Sequence, residues 1–266
     1  MYNLYIRLPF ENVFSITTNS HELIDCLKVN YGKYATSVTD SEQITPITAV
    51  FDGSTCKIHT DAVTVDSVNP YSDITSYISI NSMMSPGFYE FHGAAVEWDG
   101  HAHIFLAPTN TGKTTLIAYL IANGMKYITE DKVLIATDTK LIYPCLTPLH
   151  LREGGIQVLQ KLGITFSHLL GVKNGSTDRY LFTPEKTADN PLPIGRFYFI
   201  SREESGTGSV EKVDHFYATK YMLQSLLKGI KLTGKSVHDI YAISKDKCFN
   251  LSYSDMNFVM DVITNA

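Results

Sequence analysis

Short alternating runs of apolar and polar residues dominate the first part of the chain. YNLYIRL and VFSITT predict two strands, and ITAVF, CKIHT and AVTVD predict three more that form a meander. A helix is predicted over residues 20–30, where Asn19 and Glu22 have the spacing of a capping box. A second helix is predicted over residues 71–81. Residues 1–85 are therefore expected to form a small N-terminal α/β lobe.

The pattern that follows predicts a second α/β domain over residues 86–266. FYEFHGAAVEW and HAHIFLA predict a hairpin whose turn is Asp99-Gly100. TTLIAYLIANG predicts an amphipathic helix that stops at Gly124. KYIT, KVLIAT, LIYP and RFYFISR predict further strands, and residues 216–228 and 254–264 are expected to be helical.

Between the predicted strand HAHIFLA and the helix lies the segment APTNTGKTT, residues 107–115. It is close to the phosphate-binding pattern G-x-x-x-x-G-K-[ST], with Ala107 in place of the first glycine. Such a loop works because backbone N–H groups and a helix N-terminus face the anion, while the lysine adds a positive charge and the next hydroxyl binds Mg²⁺. The expected contacts to a nucleotide come from Pro108, Thr109, Asn110, Thr111, Gly112, Lys113, Thr114 and Thr115.

Two adjacent acids, Glu130 and Asp131, are expected to face this loop. The helix carries the chain away by about 16 Å, and the strand at 126–129 returns it by about 13 Å. A right-handed crossover makes that strand parallel to the one before the loop, so both acids arrive beside the loop. One acid can hold Mg²⁺ and the other can take a proton from an attacking hydroxyl.

Two further polar residues are candidates for the site. His92 lies on the strand that pairs with the one before the loop, and it is either a site residue that orients a carboxylate or a structural histidine. Arg152 precedes two glycines, which suits contact with an anion as well as an ordinary surface position. His101 and His103 lie beyond the Asp99-Gly100 hairpin and are expected at the surface or in strand pairing. Their H-x-H spacing could also bind a metal, but this is disfavoured because no third ligand is evident.

Composition argues against several classes of protein. The 266 residues carry a net charge of −5, so no basic field favours nucleic acid or an acidic membrane. The absence of a long apolar run predicts no membrane span, and the N-terminus lacks the apolar core of a signal peptide. Four scattered cysteines predict buried thiols in a reducing, cytoplasmic environment.

Four segments in order, FHGAAVEWDG, IFLAPTNTGKTTLIAYLIANG, YITEDKVLI and LHLREGGIQVL, resemble the HPr serine kinase/phosphorylase family. In that family a His-Gly strand precedes the phosphate loop, a pair of aspartates follows its helix, and an L-E-[IL]-R-G-x-G signature comes later. The resemblance covers residues 88–160. The matching positions are His92, Gly93, Gly112, Lys113, Thr114, Glu130, Asp131, Arg152 and Gly155.

The chain also departs from the family pattern. Ala107 replaces the first loop glycine and Glu130 the first aspartate, while His150 and Glu153 replace a glutamate and a glycine of the later signature. Since that signature is associated with the reverse, phosphorylase reaction, the resemblance does not imply a reverse activity here. Residues 1–85 do not look like the regulatory module of the bifunctional enzymes, so the chain resembles a stand-alone relative.

The resemblance implies a P-loop kinase core of the HPr-kinase type that uses ATP and Mg²⁺ to phosphorylate a serine or threonine of a peptide or protein. Some stand-alone relatives phosphorylate ribosomally made peptides such as lasso-peptide precursors, and the lobe at 1–85 would then bind the peptide. Relatives in the bifunctional branch are oligomers, which leaves a homo-oligomer open.

The expected roles follow from the residues and the resemblance together. Lys113 contacts the β- and γ-phosphates, and Thr114 with one of the two acids holds Mg²⁺. The other acid, for which Asp131 supported by His92 is favoured, accepts the hydroxyl proton, and Arg152 steadies the transferring phosphoryl group.

Two alternatives remain open. One is a kinase for a small hydroxylated metabolite. The other is a nucleotide-binding regulatory module without transfer activity, against which the acid pair argues.

Overall fold

The computed structural model describes residues 1–9, 12–38, 42–82, 87–174, 177–227 and 232–265. The fold is mixed α/β, and the chain forms two compact units. The first unit comprises Met1–Pro86, His150–Glu153 and Phe166–Thr183. The second comprises Gly87–Leu149, Gly154–Thr165 and Pro184–Ala266. The predicted boundary between residues 85 and 86 lies outside the described residues.

The elements are numbered in chain order. The strands are β1 (Tyr2–Arg7), β2 (Val13–Thr18), β3 (Ile44–Asp52), β4 (Thr55–Thr60), β5 (Thr64–Ser67), β6 (Phe88–Trp98), β7 (His101–Leu106), β8 (Lys126–Thr129), β9 (Lys132–Ala136), β10 (Ile142–Tyr143), β11 (Leu149–Leu151), β12 (Leu170–Asn174), β13 (Thr177–Phe182), β14 (Ile194–Arg202), β15 (Ser209–Lys212) and β16 (Cys248–Tyr253). The helices are α1 (His21–Tyr31), α2 (Pro70–Ser82), α3 (Lys113–Ala122), α4 (Glu153–Lys161), α5 (His215–Ser225), α6 (Gly234–Ser244) and α7 (Met256–Thr264), with a short 3₁₀ turn at Gly32–Tyr34.

The first unit contains a five-stranded sheet in the order β1-β2-β3-β4-β5, in which only β2 and β3 are parallel. The predicted meander is confirmed as β3-β4-β5. Helix α1 is capped by Ser20, whose side chain accepts a hydrogen bond from the backbone N–H of Leu23, and not by Asn19 as expected. The Asn19 amide instead bonds both the N–H and the C=O of Phe51.

The second unit is built on one mixed sheet in the order β10-β9-β6-β7-β14-β16-β15, with β8 also paired to β6. Strands β7, β14 and β16 are parallel to one another, and β6 is antiparallel to β7. One face of this sheet carries an apolar core that includes Phe91, Ile104, Phe197, Met222 and Ile240. The core thus joins the sheet to helices α5 and α6.

The hairpin between β6 and β7 is confirmed, with Trp98 opposite His101. Its two turn residues, Asp99 and Gly100, have φ of 49° and 75°. Positive φ at both central positions matches the twist of the two strands, which is why this dipeptide was a strong signal. The hairpin fixes the register that places His92 near the end of β7.

Helix α3 differs from its prediction in one respect. It was expected to be amphipathic, but residues 116–121 are all buried. An α-helix that is apolar on every side must be covered by protein, and the run LIAYLI has no polar face except the Tyr119 hydroxyl. That hydroxyl donates to the Asn257 side chain at 2.6 Å, which ties α3 to α7.

The C-terminal elements were predicted in part. Helix α5 ends at Ser225, before the predicted end at residue 228, which lies outside the described residues. Helix α7 begins after Asp255, whose carboxylate caps the N–H of Asn257 at 2.9 Å. Helix α6 and strand β16 were not predicted. In the described part of the chain, no helix has the length and apolar character needed to cross a membrane.

Candidate active site

The loop of residues 107–112 connects the end of β7 to the first turn of α3, as its sequence predicts. Asn110 and Gly112 have φ of 72° and 91°, and Gly112 occupies the N-cap position of α3. The Thr111 hydroxyl donates to the carbonyl of Pro108 at 2.7 Å, which folds the loop back on itself. The free N–H groups of the first helical turn therefore lie at the same end as the loop.

Lys113, the first residue of α3, is 7% exposed. Its ammonium donates to the carbonyl oxygens of Ala107 at 2.7 Å and Pro108 at 3.0 Å. Burial lowers the pKa of Lys113, and the carboxylates of Asp131 and Glu130 oppose that shift. The lysine side chain therefore extends to the start of the loop, and its charge interacts with the carboxylates of Glu130 and Asp131.

Thr114 and Glu130 are in direct contact, because the Thr114 hydroxyl donates a hydrogen bond to the Glu130 carboxylate. Glu130 is 5% exposed, while Thr114 is half-buried. A hydroxyl and a carboxylate that share this position can also share a divalent cation, since both offer oxygen ligands.

The path of the chain explains how Glu130 reaches the loop. Strands β8 and β9 follow the same edge of β6, with Thr129 opposite Ala95 and Lys132 opposite His92. Strands β7 and β8 are both antiparallel to β6, so they run parallel to each other as expected, although β6 lies between them. Glu130 and Asp131 occupy the gap between β8 and β9.

Asp131 forms a strained turn at this gap. Its φ is 64°, and the N–H of Lys132 donates to the carbonyl of Glu130 at 2.8 Å, which makes a γ-turn centred on Asp131. A γ-turn with positive φ is rare for a residue other than glycine. The turn interrupts the strand and leaves Asp131 exposed while Glu130 stays buried.

His92 links the lysine to this turn. Its Nε2 lies 3.3 Å from the ammonium of Lys113, and its ring also hydrogen-bonds the backbone of Asp131. Burial and the charge of Lys113 lower the pKa of His92, against the opposing effect of Asp131. Because an ammonium only donates, Nε2 must accept, which assigns the ring proton of a neutral imidazole to Nδ1.

The remaining predicted residues are placed as follows. Thr109 and Asn110 are exposed, and Thr115 is half-buried in the first turn of α3. Arg152 is an exposed residue of the first unit, and its role stays a prediction. His103 is 4% exposed and lies opposite Val96 in the pairing of β6 with β7, so strand pairing, one of its two expected positions, is confirmed. Within the described residues, no three His, Cys, Asp or Glu side chains cluster as a metal site.

Glu90 is a buried acid near the site that no sequence motif singles out. It is 1% exposed, and neither carboxylate oxygen accepts a hydrogen bond from the described residues. Burial raises the pKa of Glu90, and the nearby charge of Lys132 opposes the shift. Glu90 lies two residues before His92 on β6 and so faces the same side of the sheet. Its only sequence signal was a single acid within an apolar strand.

A cavity of about 510 Å³ adjoins the loop in the second unit. His92, Ala107 and Pro108 line it on the side of the loop. Its other walls come mainly from β14, α5 and β16, and no sequence motif marks these residues as part of a site. Strand β16 was not predicted, and the pairing of β14 with β7 connects distant parts of the chain.

No family model matches the chain, and no curated protein matches it. Among solved structures, the chain is similar to the Hpr(Ser) kinase/phosphatase from Coxiella burnetii at 11% sequence identity and a TM-score of 0.29. The match covers 66% of this chain and 91% of that chain. A likeness this weak carries no functional argument, so the function of this mixed α/β protein is inferred from the residues of the site.

Proposed function

We propose that the chain is a Mg²⁺-dependent kinase that transfers the γ-phosphate of ATP to a serine or threonine hydroxyl of a peptide or protein. The observation that carries the proposal is the contact between the Thr114 hydroxyl and the Glu130 carboxylate at the N-terminus of α3. In phosphate-binding loops the hydroxyl after the lysine and an acid from a neighbouring strand hold Mg²⁺ together. The expected identity of that acid here is Glu130.

The lysine and the helix end support binding of the phosphates. Lys113 is held at the start of the loop by two backbone carbonyls, which are weaker partners than phosphate oxygens. On nucleotide binding we expect the ammonium to move from these carbonyls to the β- and γ-phosphates. The first N–H groups of α3 would contribute the remaining donors.

The contrast between the two acids supports their different roles. Glu130 is buried against Thr114, which suits a metal ligand, whereas Asp131 is exposed and open to an incoming hydroxyl. His92 bonds the Asp131 backbone and so supports the turn that presents the carboxylate. Mg²⁺ takes most of its other ligands from phosphates and water, so two protein oxygens suffice.

The proposal is tested by separating nucleotide binding from transfer. Lys113→Ala should weaken ATP binding and lower transfer by about 100-fold or more, because it removes a charged donor at the developing negative charge. Asp131→Asn should keep ATP binding but lower transfer by about 100-fold or more, because the amide accepts no proton.

Binding is measured by calorimetry and transfer with γ-labelled ATP. Lys161→Ala, at the exposed end of α4, is the matched control and should leave both unchanged. Transfer by Asp131→Asn at the wild-type rate would show that the assignment of the base is wrong.

A further inference from the structure

The cavity beside the loop is positioned where an acceptor must enter. Its lining includes His92, Ala107 and Pro108, and the carbonyls of Ala107 and Pro108 hold the Lys113 ammonium. The lysine of such a loop contacts the β- and γ-phosphates, so the cavity borders the end of the nucleotide that is transferred. His92 in turn supports Asp131, the group expected to take the hydroxyl proton.

The described lining of the cavity favours an uncharged acceptor. The described residues that line it include no Asp, Glu, Lys or Arg. The Nε2 atom of His92 lies 3.3 Å from the Lys113 ammonium, and burial with that neighbouring charge lowers the pKa of His92, which disfavours its cationic form. A phosphorylated metabolite or a carboxylate needs cationic partners, and an amine needs anionic ones. The side chains of Gln224 and Asn250 instead offer neutral donors and acceptors.

One wall of the cavity is aromatic. The ring centroids of Phe199 and Tyr221 lie 5.1 Å apart, and Tyr221 is 45% exposed. Tyr217, one helical turn earlier on α5, is 56% exposed, so the two tyrosines are neighbours on the same helix surface. Exposed aromatic side chains next to a cavity are typical of peptide-binding surfaces.

We propose that this cavity is the acceptor site and that it binds an uncharged peptide segment whose acceptor serine or threonine has an aromatic or large apolar neighbour. The inference rests on the proposed kinase function. In the step itself, the acceptor oxygen forms a bond to the γ-phosphorus, and the bond from that phosphorus to the oxygen bridging to the β-phosphate breaks. The hydroxyl proton goes to the Asp131 carboxylate, and the bridging electron pair leaves with ADP.

The test uses three synthetic peptides of equal length, each with one serine flanked by Phe, by Asp or by Lys, together with a panel of hydroxylated small molecules. We expect the Phe-flanked peptide to be phosphorylated with a kcat/KM about tenfold or more above the other acceptors. Tyr221→Ala should raise KM for that peptide by about tenfold, because the aromatic contact that the bound peptide would bury is lost, while KM for ATP stays unchanged.

Two further variants separate a specific effect from misfolding. Tyr241→Ala removes a tyrosine of similar exposure, 49%, that lies on α6 and does not line the cavity, and it should leave all constants unchanged. Gln224→Glu places a negative charge in the cavity wall and should shift the preference to the Lys-flanked peptide. A misfolded protein would not gain that preference.

The outcomes distinguish a failure of the acceptor site from a failure of the kinase function. Equal use of all three peptides, transfer to a small molecule alone, or an unchanged KM in Tyr221→Ala would overturn the acceptor site and leave the kinase in place. Absence of transfer to every acceptor, while ATP still binds, would remove the kinase function and the acceptor site with it.

Discussion

The hydroxyl of Thr114 and the carboxylate of Glu130 connect the first turn of α3 to the gap between β8 and β9. Beside them, Lys113 reaches back to the loop carbonyls and His92 bonds the Asp131 backbone. Apart from the contacts of Lys113 with its own loop, these contacts join residues on different elements. At the residue scale, the site is therefore a small network whose charges are all close to the position expected for the phosphates.

Glu130→Gln tests whether this acid holds the metal. The amide oxygen can still accept from Thr114, so the fold should be kept, but its lack of charge should weaken Mg²⁺ binding. We expect the Mg²⁺ concentration for half-maximal transfer to rise by about tenfold or more. ATP binding without Mg²⁺ should not weaken, because removal of an acid lessens repulsion of the phosphates. Asp261→Asn on α7 is the control, and an unchanged Mg²⁺ requirement in Glu130→Gln would contradict the role.

Much of this network was predictable from the sequence, and the reason is physical. The loop pattern is specific for phosphate binding, and strand and helix lengths together with a right-handed crossover return Glu130 to the loop. Glu90 was not predictable, because nothing local shows that a single acid in an apolar strand points into the protein. The γ-turn at Asp131 was equally hidden, since it arises only when β8 and β9 share one edge of β6.

At the scale of elements, the site depends on how closely β6 and β7 approach. Gly93 stands opposite Leu106, the last residue before the loop. A Cβ at this glycine would lie 2.6 Å from the Leu106 side chain and 2.8 Å from the carbonyl oxygen of Phe105. Because Gly93 has no side chain, β6 can pack closely against the end of β7. This close packing keeps His92 beside the start of the loop.

Gly93→Ala should consequently lower the free energy of unfolding by about 1–3 kcal/mol, because overpacking forces the two strands apart. Denaturant unfolding measures the change. Gly154→Ala on α4 is the matched control, since a Cβ there meets no atom within 4 Å and alanine favours a helix. Equal stability of Gly93→Ala and the wild type would show that the close approach is not required.

Elements with a strong local pattern were predicted, and those defined by distant partners were not. The β6–β7 hairpin and the loop-to-α3 segment have turn residues that dictate their geometry. Strand β16 is short and lacks a turn signal, and its place between β14 and β15 depends on residues about 40–50 positions earlier. Helix α6 begins with a capping box made by Thr233 and Ser236, a Ser variant that the usual Glu or Gln pattern overlooks.

At the scale of the whole molecule, the second unit buries a histidine within its sheet. His103 on β7 is 4% exposed, and its ring stacks with Tyr198 of β14 at a centroid distance of 6.1 Å. Burial, assisted by the charge of Arg196, lowers the pKa of His103 to about 4. The folded protein therefore keeps this imidazole neutral at pH values where the unfolded chain would protonate it.

The sign of the resulting pH dependence follows from these two states. Below the unfolded pKa of about 6.5, the unfolded chain binds a proton that the folded chain does not, so stability falls as the pH falls towards 4. The loss should reach about 2 kcal/mol at pH 5 relative to pH 7. In His103→Gln this contribution should vanish, which denaturant unfolding at both pH values would measure. An identical pH dependence in both proteins would contradict the buried neutral state.

The most direct test of the central claim is transfer of the γ-phosphate itself. The protein is incubated with γ-labelled ATP, Mg²⁺ and candidate peptides, and products are read by label and intact mass. We expect a mass gain of one phosphate on a serine or threonine, and we expect Lys113→Ala to abolish it. ATP binding without transfer to any peptide or small molecule would contradict a kinase and favour a nucleotide-binding module.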